Sequence, residues 1–379
     1  MATDARARAL RWPLALLPAA LLLQWMAACA PRMVESVYAR RAYPAVRAVA
    51  ALLTGRLPFA LAEPLALALL VLAIALCVAR GRRAAWRGRA LLRTLGAAAA
   101  ALFGLAGAVY LAFLLVWGLN YQRPRLAALA GLSAPGGSGE ELRALSVELI
   151  AAANAARGAT GDDAQGVLAL PGGRRGTLDA ADLGLRRASA RLPALDGPRV
   201  RPKPALLSPV LSRLGIAGIF IPFTGEANVN AMLPAPDLPF AASHELAHQR
   251  GFAREDEANY IASVACRLHP GPEFRYAGLL ISSLYVQSAL AGDDRALALE
   301  LEKARAPAVR RDLHALAEWN RRYASRVSRA AEQVNNAYLK SQGQALGVRS
   351  YGAVVDLLLA ERRRALEAGP SDGGAWLLR

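Results

Sequence analysis

Apolar positions are concentrated in the first third of the chain, where three long runs contain almost no charge. The runs cover residues 12–30, about 58–78 and about 94–118. An α-helix rises about 1.5 Å per residue and a bilayer core is about 30 Å thick, so each run is long enough to span it. The pattern predicts three transmembrane helices within a membrane domain of residues 1–120, with the lipid bilayer as a partner.

Arginines flank these runs unevenly and predict the orientation of the chain. Three lie in the N-terminal tail and six lie between the second and third runs. Because positive residues are retained on the cytoplasmic side, the N-terminus is expected there, and three crossings place a domain of residues 121–379 outside the cytoplasm. The loop 31–57 also carries five arginines. Its amphipathic part, residues 43–57, can lie in the membrane interface.

The first run has a second interpretation, a cleaved lipoprotein signal. Residues 26–29 read MAAC, a loose match to a bacterial lipoprotein cleavage site, after a basic and then an apolar region. In that case Cys29 is lipidated, two spans remain, and the C-terminal domain is still outside. The other two cysteines, Cys77 and Cys266, form no CxxC pair, so neither a disulfide framework nor a cysteine metal cluster is expected.

The overall charge raises the question of a nucleic-acid partner. The formal net charge is +17, and 55% of the residues are hydrophobic. The basic residues are almost all arginines that are scattered or flank apolar runs, and no basic-aromatic module is present. We therefore expect no nucleic-acid binding, since membrane orientation and biased composition account for the arginines.

Beyond residue 120 the pattern changes to amphipathic helices separated by loops. Residues 133–139, SAPGGSG, are typical of a linker, and helical periodicity follows over 139–158. Residues 217–230, AGIFIPFTGEANVN, have the clearest strand pattern, ended by Pro222 and Gly225. Helical patterns again dominate after residue 270. The predicted fold is mainly α with a small β element.

One segment of this domain, residues 243–262, combines the residue types of a metal site: SHELAHQRGFAREDEANYIA. His244 and His248 are four residues apart, so both imidazoles lie on one helix face and can reach one ion. Glu245 is placed beside that ion, where a carboxylate can take the proton of a metal-bound water. With four histidines in the chain, a chance HExxH has a probability of order a few per thousand. The donor types predict Zn²⁺ as the cofactor.

The third ligand is expected among the carboxylates that follow. Gly251 can end the first helix in a left-handed turn, and a second helix is predicted from about Arg254. On that helix Glu255 shares a face with small residues and with Asn259, which can orient a ligand from outside the ion's own shell. Glu257 shares a packing face instead. Glu255 is favoured, and Glu257 is the alternative metal ligand.

HExxH followed by Glu-x-x-Ala-Asn resembles the gluzincin metallopeptidases. The resemblance implies a zincin-like domain in which Glu255 is the third zinc ligand and Asn259 supports it. It also implies that the strand before the HExxH helix binds substrate by adding it to the sheet edge. Glu226 or Asn228 can then line the cleft.

The same segment departs from related patterns at two points. Only six residues separate His248 from Glu255, which is a short connection for a gluzincin. The frame HExxHxxG also matches the metzincins as far as Gly251, but Arg254 stands where that class has its third histidine. The segment therefore lacks the third histidine ligand of the metzincins and is not assigned to that class.

Nearly the whole chain also resembles an uncharacterised bacterial family of multi-pass membrane proteins that has a domain of unknown function. The shared segments are VESVYARRAYP, LPF, WGLNYQRP, IPFTGEANVN and HELAHQRGFAREDEANYIA. This resemblance implies a location in the bacterial cell membrane but no particular activity.

Together these features predict a membrane-anchored zinc metallopeptidase that hydrolyses peptide or protein substrates outside the cytoplasm. Glu245 is the expected general base and later the proton donor. The alternative function is a non-catalytic zinc-binding membrane sensor or an envelope assembly protein. An oxyanion stabiliser is expected opposite the base. The sequence does not choose among five candidates for it: Tyr338, Tyr351, Tyr323, Arg321 and His314.

Overall fold

A computed structural model describes residues 12–85, 91–133, 136–342 and 351–369. The chain divides into two compact units. The first comprises Met1–Val46, Leu61–Arg123 and Pro222–Thr224, and the second comprises Arg47–Ala60, Pro124–Ile221 and Gly225–Arg379. The predicted domains 1–120 and 121–379 are simple consecutive blocks, whereas each unit is assembled from several segments. The domain division from the sequence stays a prediction.

The N-terminal part of the chain is helical throughout most of its described residues. After a 3₁₀ turn at Trp12–Ala15 come α1 Leu16–Cys29, a turn of α-helix at Pro31–Met33, a π-helix at Val34–Ala42, α2 Tyr43–Thr54, α3 Ala62–Ala85, α4 Leu91–Val116 and a 3₁₀ turn at Gly118–Gln122.

Two of these helices are long and apolar enough to cross a membrane, within Ala62–Ala79 of α3 and Ala98–Val116 of α4. A third candidate is the pair Pro13–Cys29 and Pro31–Thr54, which is bent by 96°. The predicted run 12–30 is helical from residue 12 to residue 29, but α1 has only 14 residues. At about 1.5 Å per residue α1 is roughly 21 Å long, too short to span a bilayer core alone. The structure thus supports two or three spans.

Within the first unit, α1 and α4 approach each other closely at a small residue. A Cβ placed on Gly107 would lie 2.5 Å from the backbone nitrogen of Leu17. Nearby, the Tyr110 hydroxyl donates a hydrogen bond of 2.6 Å to the side-chain oxygen of Gln24. Close packing at small residues and polar bonds between helices hold membrane helices together, because lipid offers no hydrophobic driving force between them.

The second unit contains a three-stranded sheet. The strands are β1 Lys203–Pro204, β2 Gly218–Ile221 and β3 Glu226–Val229. β3 lies in the middle, parallel to β1 and antiparallel to β2. The predicted end of the strand at Pro222 is confirmed, and the rest of the run forms a second strand because Gly225, with φ 65°, turns the chain. β2 is left at an edge of this sheet.

Helices make up the rest of the regular structure in this unit. In chain order they are α5 Leu126–Ala130, α6 Gly139–Gly158, α7 Gly173–Ala180, α8 Asp182–Ala188, α9 Ser208–Leu214, α10 Leu238–Gln249, α11 Glu255–Leu268, α12 Pro272–Asp293, α13 Arg295–Glu302, α14 Pro307–Tyr323, α15 Arg326–Ser341 and α16 Tyr351–Glu367. A 3₁₀ turn lies at Pro193–Leu195.

The prediction of a mainly helical chain with a small β element is confirmed. Helix α6 has the predicted bounds, and Ser138 caps it by accepting a hydrogen bond from the backbone N–H of Glu141. Part of the predicted linker 133–139 lies outside the described residues. Both buried apolar clusters of the second unit contain side chains of α10 and α11. The segment that carries the metal motif is therefore at the centre of the unit's core.

Candidate metal centre

A sharp reversal of the chain joins the two helices of the motif. α10 ends at Gln249, and Gly251 adopts the left-handed conformation with φ 89°. The turn is closed by the Gly251 N–H, which donates to the His248 carbonyl at 2.9 Å. α11 then begins at Glu255, one residue later than predicted, with Arg254 as its extended cap. The predicted glycine turn is confirmed.

This reversal brings His244, His248 and Glu255 together. Their nearest ligand atoms all lie within 4.8 Å of one another. Glu255 Oε2 is 3.3 Å from His244 Nε2, and Glu255 Oε1 is 3.6 Å from His248 Nε2. A tetrahedral ion with bonds of about 2.0–2.1 Å holds its ligand atoms roughly 3.3–3.4 Å apart. The two carboxylate–imidazole distances are close to that spacing, the donor types are those that zinc takes, and 29% of the Glu255 side chain is exposed.

A backbone carbonyl sets the protonation pattern of His248. Its Nδ1 lies 2.8 Å from the Phe252 carbonyl oxygen. Because a carbonyl only accepts, Nδ1 must donate, and the neutral ring then presents the lone pair of Nε2 to the cluster. Carbonyls in this position commonly orient histidine ligands. The chain reversal at Gly251 creates the contact, since it returns Phe252 to the helix end.

The charges of the three clustered side chains shift one another's pKa values. Burial opposes the charged form of His248, but the adjacent Glu255 carboxylate outweighs it and raises the His248 pKa to about 9. Burial also opposes ionisation of Glu255, yet the two histidines hold its pKa well below the ordinary value. Glu255 is therefore an anion, the form in which a carboxylate binds a metal.

Glu245 lies beside this cluster and is 4% exposed. The Phe220 backbone N–H donates to its carboxylate. The second oxygen, Oε2, is buried and makes no hydrogen bond to any residue in the described part of the chain. Burial raises the Glu245 pKa, an effect that the two histidines partly offset. A buried carboxylate with one oxygen lacking a partner is placed to exchange a proton.

The alternative ligand Glu257 points elsewhere. Its carboxylate accepts a hydrogen bond of 2.9 Å from the backbone N–H of Leu126, at the start of α5. Burial, with the charge of Asp256, raises the Glu257 pKa to about 7. The structure thus brings Glu255 to the histidine pair and gives Glu257 a structural contact. Ligation by either residue stays a prediction.

The other predicted site residues have varied surroundings. Asn259 is half-buried, and its side chain forms no hydrogen bond to any described residue, so its orienting role stays a prediction. Glu226 forms a buried ion pair of 2.5 Å with Lys203, and its predicted place in a substrate cleft stays a prediction. His314 is exposed and lies near Glu318 on α14. The side chain of Tyr351 lies outside the described residues.

Three features of the site escaped the sequence interpretation. They are the Phe252 carbonyl, the contact of β2 with Glu245, and Asp237 just before α10. Burial raises the Asp237 pKa to about 6, and the charge of His244 partly counteracts this shift. In the sequence, the evidence for Asp237 is its position seven residues before His244. Helical spacing alone does not identify Asp237 as a residue of the site.

Comparison with known proteins identifies the family. No curated protein and no solved structure matches this chain. A family model described as "Protein of unknown function (DUF3810)" matches residues 38–359. That range includes the apolar helices α3 and α4 and the cluster of His244, His248 and Glu255. The chain therefore belongs to the DUF3810 family.

Proposed function

We propose that this chain is a membrane-anchored zinc metallopeptidase. The observation that supports it best is the cluster of His244, His248 and Glu255, with ligand atoms within 4.8 Å, beside the buried Glu245 carboxylate. This combination unites the donors of a zinc site with a general base. When bound, zinc would act as a Lewis acid and lower the pKa of a coordinated water.

Protein groups would bind the ion and transfer the proton. The two histidines and Glu255 would hold the ion, and the Phe252 carbonyl would keep His248 in the tautomer that binds through Nε2. Glu245 Oε2, which lacks a hydrogen bond among the described residues, would accept a proton from the attacking water. The same carboxyl group would then donate that proton to the leaving amine.

The edge strand β2 supports an extended peptide as the substrate. The Asn230 N–H donates to the Ala217 carbonyl at 2.8 Å, and Ile219 is paired with Asn228 in the same ladder. Because hydrogen-bonding direction alternates along an antiparallel strand, the backbone groups of Gly218 and Phe220 point away from β3. The Phe220 N–H is bonded to Glu245, so a peptide would bond to this edge through the backbone of Gly218. A peptide that adds to this edge would lie next to Glu245.

The membrane segments and their flanking arginines support a site outside the cytoplasm. We place the N-terminus in the cytoplasm and residues 121–379 outside it, since arginines flank the apolar runs accordingly. A bacterial cell membrane is the proposed setting. Reporter fusions after residue 85 and after residue 130 test the orientation: only the second fusion is expected to be active outside the cytoplasm.

Glutamine at Glu245 is the decisive variant for the activity. Glu245→Gln keeps the size of the side chain and leaves the three ligands unchanged, so zinc should stay bound. Hydrolysis of a peptide library should fall by about 10²–10⁴-fold, as expected for loss of a general base. An unchanged cellular phenotype in this variant would favour the non-catalytic sensor or assembly protein.

Metal content tests the site independently of turnover. His244→Ala should lose zinc, measured as zinc per chain after purification in detergent. The matched control is His314→Ala, because that histidine is 66% exposed on α14 and belongs to no ligand cluster among the described residues. Equal zinc in both variants would end the metal proposal.

A further inference from the structure

The edge strand touches the catalytic base at a glycine. A Cβ placed on Gly218 would lie 2.5 Å from Glu245 Oε1, 2.6 Å from Cγ and 2.8 Å from Cδ. Real Cβ atoms essentially never approach other atoms more closely than 3.0 Å. The Glu245 side chain therefore occupies the volume that any other residue at position 218 would need.

The backbone conformation does not require glycine at this position. Gly218 does not have a positive φ, whereas Gly225 and Gly251 do. A glycine in a strand is typical of places where another group approaches the backbone closely. Space for the Glu245 carboxylate is thus the feature that Gly218 provides.

A second contact from the same strand edge holds the carboxylate. The Phe220 N–H donates to Glu245, and Oε2 has no hydrogen bond to a described residue, so the bonded oxygen is Oε1. Oε1 is also the atom nearest to the Cβ position of Gly218. A side chain at position 218 would push this oxygen off the Phe220 N–H and turn the carboxylate.

We propose that Gly218 is a positioning residue for the general base Glu245. It lets the carboxylate lie against β2, so that the Phe220 N–H binds Oε1 and Oε2 is left to exchange the proton. This inference rests on the proposed peptidase function and extends it to a residue outside the HExxH motif. Gly218 itself takes no part in bond making or proton transfer.

The test is Gly218→Ala, compared with Gly176→Ala in α7. A Cβ at Gly176 would meet nothing within 4 Å, so that variant controls for the loss of a glycine. A displacement of about 1 Å in a catalytic group lowers rates by up to about 10²-fold. We expect kcat of Gly218→Ala to fall by about that factor, with KM and zinc content unchanged, and Gly176→Ala to match the wild type.

A shorter acid separates a specific contact from general damage. The substitution Glu245→Asp withdraws the carboxylate by one methylene, which makes room for a methyl group at position 218. Gly218→Ala should therefore lower kcat much less in the Glu245→Asp background than in the wild type. If Gly218→Ala fails to fold, recovery of folding in the Glu245→Asp background would equally support the contact.

Three results would overturn the inference. They are a wild-type kcat for Gly218→Ala, an equal loss of kcat in both backgrounds, and failure to fold in both. Failure of the proposed function has a different signature, since wild-type protein would then show no zinc-dependent hydrolysis at all. In that case Gly218 has no general base to position.

Discussion

Replacing Glu255 by glutamine tests the choice of the third zinc ligand. The change preserves size but removes the negative charge. The two oxygens of Glu255 lie 3.3 and 3.6 Å from the two histidine nitrogens. In a glutamine, one of these oxygens becomes an NH₂ group, which cannot bind a metal ion. The remaining amide oxygen is a neutral and weaker donor.

The expected size of the effect follows from this geometry. Loss of a group that only supports a ligand typically lowers metal affinity by about 10–100-fold. Because Glu255 is proposed to contact the ion directly, Glu255→Gln should exceed that range, which corresponds to more than about 2.7 kcal/mol. Competition with a coloured chelator at neutral pH measures the affinity, and the zinc content of purified protein gives a second readout.

Glu257→Gln is the matched control on the same helix. A glutamine there still offers an oxygen to the Leu126 N–H, whose bond to Glu257 is 2.9 Å long. Burial raises the pKa of Glu257 to about 7, so removing its charge should change the free energy of the folded protein little. We expect zinc affinity to change by less than about twofold. This is a small effect, since a tenfold change in affinity corresponds to about 1.4 kcal/mol. Zinc loss in Glu257→Gln with retention in Glu255→Gln would refute the assignment.

Two further predictions concern the core of the second unit. Asp312 is fully buried and accepts hydrogen bonds from Arg157 Nε and the Tyr276 hydroxyl, both 2.6 Å long. Asp312→Asn should lower the free energy of unfolding in urea by about 3 kcal/mol, whereas Glu318→Gln, exposed on the same helix, should change it by less than about 1 kcal/mol. Equal effects would contradict the assigned role of the buried charge. Burial raises the pKa of Cys266 to about 12, so iodoacetamide should modify it only after unfolding, and rapid labelling of the folded protein, measured by mass spectrometry, would contradict its burial.

Several elements could be predicted because their causes are local. The helix over 139–158 follows from apolar periodicity and a Ser–Glu capping box, which involve residues within one turn of each other. The reversal at Gly251 follows from the conformational freedom of glycine. Apolar runs likewise identified α3 and α4 as membrane-crossing candidates, because crossing depends on length and composition.

Other elements could not be predicted, because local pattern leaves their geometry open. The apolar run 12–30 forms a helix that ends at Cys29, close to its predicted end, but the chain then bends by 96° into Pro31–Thr54. An apolar pattern predicts the extent of a helix but not the angle at which the next helix begins. In the segment 217–230, Pro222 and Gly225 predicted the end of the first strand, but not that residues 226–229 form a second strand between β1 and β2, because strand pairing depends on residues distant in sequence.

The proposed metal site likewise combines features that the sequence predicts with features that it does not. The sequence by itself determined that His244 and His248 share a helix face and that Glu245 lies beside them, because the α-helical repeat sets those directions. Only the tertiary structure decided that Glu255 rather than Glu257 meets the histidines, that the Phe252 carbonyl orients His248, and that Gly218 packs on Glu245. These contacts depend on how α11 and β2 pack against α10, and packing between elements distant in sequence leaves no periodic signal in the chain.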